Sequence, residues 1–143
     1  MGAMSATKAP VVTGPTRIRN VVLVGPSGSG KSRLFDHVVG SLAPHHTPRD
    51  PDEVSTGLRA ATVATGEVVL TLLDAPGSPD FVGEVRAGLR AAEAALFVVS
   101  AADGADAHSR ALWHECALVG MPRAVVITQL DARDADFAAT LAD

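Results

Sequence analysis

The chain has 143 residues, a formal net charge of −4 and a hydrophobic fraction of 47%. That size suits one domain with a real core, and the apolar content argues against disorder. The excess of acids leaves no broad polycationic face for nucleic acid, the single cysteine excludes an internal disulfide, and no apolar run nears the roughly 18 residues that span a bilayer.

In chain order, residues 1–17 are rich in Ala, Thr, Gly and Pro and read as a disordered tail without a signal-type apolar core. An apolar strand follows at 18–24, then a glycine-rich loop, then a helix over 31–42. Pro44, Pro48 and Pro51, with His45 and His46, mark a mobile polar loop. Runs at 59–65 and 67–73, separated by Gly66, suit an antiparallel hairpin. A helix is predicted over 81–92, with Phe81, Val85 and Leu89 along one face, and a buried strand over 94–99. Residues 108–119 read as a helix with Leu112, Cys116 and Val119 on its inward stripe, stopped by Gly120 and Pro122. A strand at 124–127 and a final helix at 132–142 complete the pattern. Apolar strands alternating with amphipathic helices predict a three-layer α/β fold, its mostly parallel sheet covered on both faces.

The strongest motif is Gly25-Pro26-Ser27-Gly28-Ser29-Gly30-Lys31-Ser32, a G-x-x-x-x-G-K-S phosphate loop between a strand and a helix. Backbone amides of residues 26–32 are expected to surround the α- and β-phosphates at the positive end of the helix. Lys31 is expected to reach the β- and γ-phosphates, and the Ser32 hydroxyl to bind Mg²⁺. A plain Gly/Ser linker would not set a lysine and a hydroxyl at a helix start. The loop alone leaves ATP and GTP open. Asp74-Ala75-Pro76-Gly77 then follows a strand, where P-loop proteins place the acid that orients Mg²⁺. Gly77 can offer its N–H to a γ-phosphate; the simpler reading is a strand-end turn. Thr128-Gln129-Leu130-Asp131 stands after the next-to-last predicted element, where a buried Asp131 carboxylate could accept both guanine donors and repel adenine. Selection of that kind discriminates by roughly 10⁴–10⁵; the simpler role for Asp131 is a helix N-cap.

These three segments, with DAPGSPDFVGEVRAGLRAAEAALFVVSAADG and ALWHECALVGMPRAVVITQLD, resemble the G domain of elongation factor G and its elongation factor G-like relatives among translational GTPases. The resemblance runs from about Arg19 to Asp131. It implies a Ras-like P-loop fold, GTP or GDP with Mg²⁺, and the ribosome as partner; the cytoplasm is expected separately, from the single cysteine and the lack of a signal-type or bilayer-length apolar run. It also implies that residues 18–143 are a G domain truncated before its last strand and helix.

The chain departs from the family at sites that bear on activity. Ser78 stands where elongation factor G has the histidine that positions the attacking water, and it is too short and too weakly basic to replace it. A positioned proton-transfer group is worth roughly 10²–10⁴ in rate, so hydrolysis is expected to be slow. Thr128 and Gln129 replace the asparagine and lysine of N-K-x-D, which predicts weaker binding with selectivity kept by Asp131. Only 42 positions separate Ser32 from Asp74, and neither Thr56 nor Thr62 matches the family's R-G-I-T stretch.

Other residues invite functional readings that the pattern does not support. His45 and His46 lack a third ligand at metal-site spacing and read as solvated. Cys116 reads as core packing, Trp113 as a partly buried anchor, and Arg86 with Arg90 as a solvated helix face. Two alternatives stay open at this point: a P-loop ATPase or small-molecule kinase, and a non-catalytic GDP/GTP-binding module.

Overall fold

Three largely apolar strands pair in parallel at the centre of the molecule: β1 (Ile18–Val24), β3 (Val68–Asp74) and β4 (Ala94–Ser100). The structure, a computed structural model, describes residues 12–50 and 53–143. β2 (Arg59–Thr65) pairs antiparallel with β3 through the turn at 66–67, and β5 (Arg123–Thr128) adds in parallel to β4. The sheet order is β2-β3-β1-β4-β5. The helices are α1 (Lys31–Leu42), α2 (Val82–Ala91), α3 (Ala107–Leu118) and α4 (Phe137–Ala142).

Alternation along the strands sends side chains to two separate cores. Leu23, Val63, Leu72 and Val98 meet Phe35 and Val39 of α1 on one face. Val22, Val24, Leu73 and Phe97 meet Val85 of α2 with Leu112 and Cys116 of α3 on the other. Full burial of each such side chain is worth about 1.5–3 kcal/mol, so helices on both faces hold the sheet and fix the loops at its carboxyl edge. Cys116 is a buried core residue, and Trp113 packs edge-on to Phe97 at 5.1 Å with Arg123 over its ring.

Several sequence expectations shift. Only Phe137–Ala142 of the predicted 132–142 helix is helical. The Asp136 carboxylate accepts the Ala139 N–H at 2.9 Å and so sets the helix start late, while its own N–H is held by the Ala101 carbonyl. The helix predicted over 81–92 is present as α2, entered through a 3-10 turn, Pro79–Phe81, that was not predicted. Val119 is 78% exposed: it is the C-cap of α3, beyond the stripe that buries Leu112 and Cys116. Asp74 and Thr128 are the last residues of β3 and β5 rather than loop residues. Of the segment expected as a tail, residues 1–11 lie outside the described residues; Pro15–Arg17 form a 3-10 turn, and Arg17 pairs with Glu67 at 3.2 Å. Asp52 and Pro51 likewise lie outside the described residues.

Candidate functional site

The carboxyl ends of β1, β3 and β5 deliver the three motifs to one edge of the sheet, beside the N-terminus of α1. Gly25 leaves β1 with φ 149° so close to β4 that a Cβ there would lie 2.0 Å from the Val98 carbonyl oxygen. Only glycine fits that approach. The loop then turns into α1, whose first residue, Lys31, is 6% exposed and donates Nζ–H to the Pro26 carbonyl at 2.7 Å. Burial pushes its pKa down from 10.5 to about 8, with Asp74 and then Asp106 acting in the opposite direction. An ammonium held this way is poorly solvated, and a polyphosphate would supply the missing anion.

Asp74 is fully buried. Its Oδ2 accepts the Ser32 hydroxyl at 2.8 Å, and its Oδ1 has no hydrogen-bond partner. The two residues named for Mg²⁺ from sequence are therefore in contact across the 42 positions that separate them. Gly77 comes against the loop so closely that a Cβ would lie 2.5 Å from the Ser27 nitrogen and 2.7 Å from Lys31 Nζ. A cleft of about 900 Å³ opens over these groups, lined in part by Gly28, Lys31, Ser32, Asp36, Gly77 and Gln129.

The base-side motif is tied directly to the phosphate loop. Thr128 Oγ1 donates to the Ser29 carbonyl at 2.6 Å and lies 3.1 Å from that of Val99. Gln129 Nε2 donates to the Gly28 carbonyl at 2.7 Å, and its Oε1 accepts the Ser100 hydroxyl at 2.9 Å. Gln129 holds φ 55°, a left-handed conformation uncommon outside glycine, and the two side-chain bonds fix it there. Gln129 therefore serves as a tether between the base-side turn and the phosphate loop.

Other expected residues stand elsewhere. Asp131 is exposed on the turn after Gln129, not buried, so its carboxylate keeps its hydration. Ser78 Oγ accepts the Asp80 N–H at 3.4 Å and caps the 3-10 turn. Thr62 pairs with Thr71 across the hairpin, and Thr56 is exposed. His46, expected to be solvated, is packed edge-on to Phe35, with Nε2 2.7 Å from Asp36 Oδ1. His45 is exposed. Arg86 forms a surface pair with Glu115 at 2.8 Å.

Two residues of this neighbourhood were not singled out from the sequence, Asp36 and Arg59. Asp36 lies one helical turn after Ser32, so the spacing was a usable signal; nothing local marked Arg59. Among the described residues no three His, Cys, Asp or Glu side chains cluster as metal ligands, and no helix is long and apolar enough to cross a membrane.

A phosphate loop between β1 and α1, an acid at the end of β3 and a base-side turn after β5, on a doubly wound sheet, define the P-loop nucleotide-binding class. The sequence profile of the elongation factor Tu GTP binding domain matches residues 16–143, and the chain belongs to this family of GTP-binding domains. It is 46% identical over 150 aligned residues to an elongation factor G-like protein of Mycobacterium tuberculosis (strain ATCC 25618 / H37Rv), covering 94% of this chain and 21% of the relative. It is 28% identical to elongation factor G 2 of Geobacter metallireducens, over 87% of this chain and 20% of that protein. A crystal structure of a Thermus thermophilus protein superposes with a TM-score of 0.78 at 34% identity, covering 90% of this chain and 22% of the other. The chain thus spans about a fifth of the length of these relatives.

Proposed function

We propose that this G domain serves an elongation factor G-like translational GTPase that acts at the ribosome in the cytoplasm, binding GTP or GDP with Mg²⁺ and hydrolysing GTP slowly. The observation that carries the reading is the contact of Ser32 Oγ with buried Asp74, whose second oxygen lacks a partner at the foot of the lysine-bearing loop. A hydroxyl and a carboxylate are hard oxygen donors suited to Mg²⁺, which binds through one or two such groups and keeps several waters.

In this reading Gly25, Pro26, Ser27, Gly28, Ser29 and Gly30 form the cradle whose backbone amides receive the α- and β-phosphates. Lys31 neutralises the β- and γ-phosphates. Mg²⁺, when bound, would screen charge between those phosphates, held by Ser32 directly and by Asp74 through water. Gly77 presents its N–H to the γ-phosphate and distinguishes GTP from GDP. Thr128 and Gln129 lock the base-side turn to the cradle, and Asp131 swings from its exposed position to accept the two guanine donors. Ser78 supplies no proton acceptor for water; its hydroxyl is engaged as a cap. That absence supports slow hydrolysis, and a non-catalytic GDP/GTP-binding module is its limiting case.

Competition for a bound fluorescent GDP analogue tests the reading. GTP and GDP are expected to displace it, whereas ATP is not, and Asp131→Asn should shift the preference toward xanthosine nucleotides. Displacement by ATP as effective as by GTP would favour the ATPase or kinase alternative and overturn the proposal.

A further inference from the structure

The phosphate-loop motifs account for one cation in the cleft, Lys31, yet a second one touches the buried acid. Arg59, the first residue of β2, lays its guanidinium over the Phe35 ring at 4.3 Å. Its Nη2 faces two carboxylates, Asp36 Oδ1 at 3.0 Å and Asp74 Oδ2 at 3.4 Å. Asp74 Oδ2 is the oxygen that also accepts from Ser32. Asp36 in turn receives the Arg49 N–H at 3.2 Å and lies against His46. One guanidinium therefore joins the acid at the end of β3 to α1 and, through Asp36, to the 43–50 segment.

A fully buried carboxylate needs a counter-charge, and an unpaired one is strongly unfavourable. Arg59 supplies that charge before any divalent cation arrives. Its planar, always-charged fork is well shaped for this, because the face stacks on Phe35 while one edge spans two acids. The same position sets it against a divalent cation, since both draw on the lone pairs of Asp74 and two cations at one oxygen repel.

We propose that Arg59 is a positioning residue for Asp74, a built-in counter-cation that pairs with the buried acid and aims it in the metal-free protein. Nucleotide binding by this chain then depends less on Mg²⁺ than the P-loop motif alone implies. This inference rests on the reading of Ser32 and Asp74 as the Mg²⁺ site.

The test is the dissociation constant of a fluorescent GDP analogue in excess Mg²⁺ and in EDTA, for the wild-type chain, Arg59→Gln and Arg59→Lys. Ligands sharing one group are negatively coupled, commonly by 5–150-fold. The expected result is a small Mg²⁺ effect for the wild type and one about tenfold larger for Arg59→Gln, arising chiefly from weaker binding in EDTA. Arg59→Lys, which keeps the charge but loses the stacking and the two-acid span, should fall between. A second readout is the melting temperature of the nucleotide-free protein, expected to fall in Arg59→Gln and to be partly restored by Mg²⁺ alone. An Arg59→Gln protein that binds GDP with the wild-type Mg²⁺ effect overturns the proposal while leaving the nucleotide reading intact. If that variant does not fold, Arg59→Lys decides: a Mg²⁺ effect equal to wild type overturns the proposal. A wild-type chain that binds no GDP in either buffer overturns the nucleotide reading and this proposal with it.

Discussion

Thr128 and Gln129 change what the base-side motif does. Their side chains reach the carbonyls of Ser29 and Gly28 at 2.6 and 2.7 Å, so phosphate loop and base-side turn are directly tied together. Each such bond is worth about 0.5–1.5 kcal/mol net. Thr128→Ala and Gln129→Ala are each expected to weaken GDP binding by roughly 3- to 10-fold, seen as faster release in stopped-flow dissociation. Equal release rates in the variants and the wild type would mean that the tether is incidental. Ser78 belongs to the same scale. With its hydroxyl spent on the Asp80 amide, Ser78→His is expected to raise single-turnover GTP hydrolysis by roughly tenfold or more, toward the 10²–10⁴ of positioned proton transfer. An unchanged rate would show that the missing histidine is not what limits the chemistry.

At the scale of elements, α1 does more than end the phosphate loop. Its buried face carries Phe35 and Val39 into the core, while Asp36 gathers the 43–50 segment and β2. Burial pushes the Asp36 carboxyl up, but the bonds from His46, Arg59 and the Arg49 amide outweigh it and hold the pKa below the ordinary 3.8. A depressed folded-state pKa adds stability that is present above the unfolded value and is lost as pH falls through the folded one. Thermal melts of the wild type should therefore lose stability as pH drops below about 4, and Asp36→Asn should be less stable at neutral pH with a shallower acid loss. An identical acid profile in the variant would remove Asp36 from that role. On the opposite face, Leu112→Ala is expected to cost about 2–5 kcal/mol by opening a cavity beneath the sheet, read from the denaturation midpoint.

For the molecule as a whole, the cleft joins the ends of three strands and one helix, so a nucleotide seated there braces the entire sheet edge. A ligand that binds only the folded state stabilises it by mass action, about 2.7 kcal/mol at 100 times its Kd. GDP should accordingly raise the melting temperature in proportion to the logarithm of its concentration, and a melting temperature indifferent to GDP would contradict the site. The phosphate loop, the D-A-P-G turn, the five strands and the inward face of α2 were legible in the residues. Each rests on local periodicity or on glycines and acids at fixed spacing, which short-range sterics and hydrogen bonding largely dictate. The late start of α4, the outward turn of Val119, the packing of His46 on Phe35 and the reach of Arg59 to Asp74 were not legible. They depend on which carbonyl, ring or carboxylate a neighbouring element presents, and that is settled only when residues distant along the chain are brought side by side. A glycine-rich loop ending in a lysine and a hydroxyl at a helix start was written in the residues; which cation balances the buried acid emerged only from the fold, because charge pairing acts through space and leaves no local pattern.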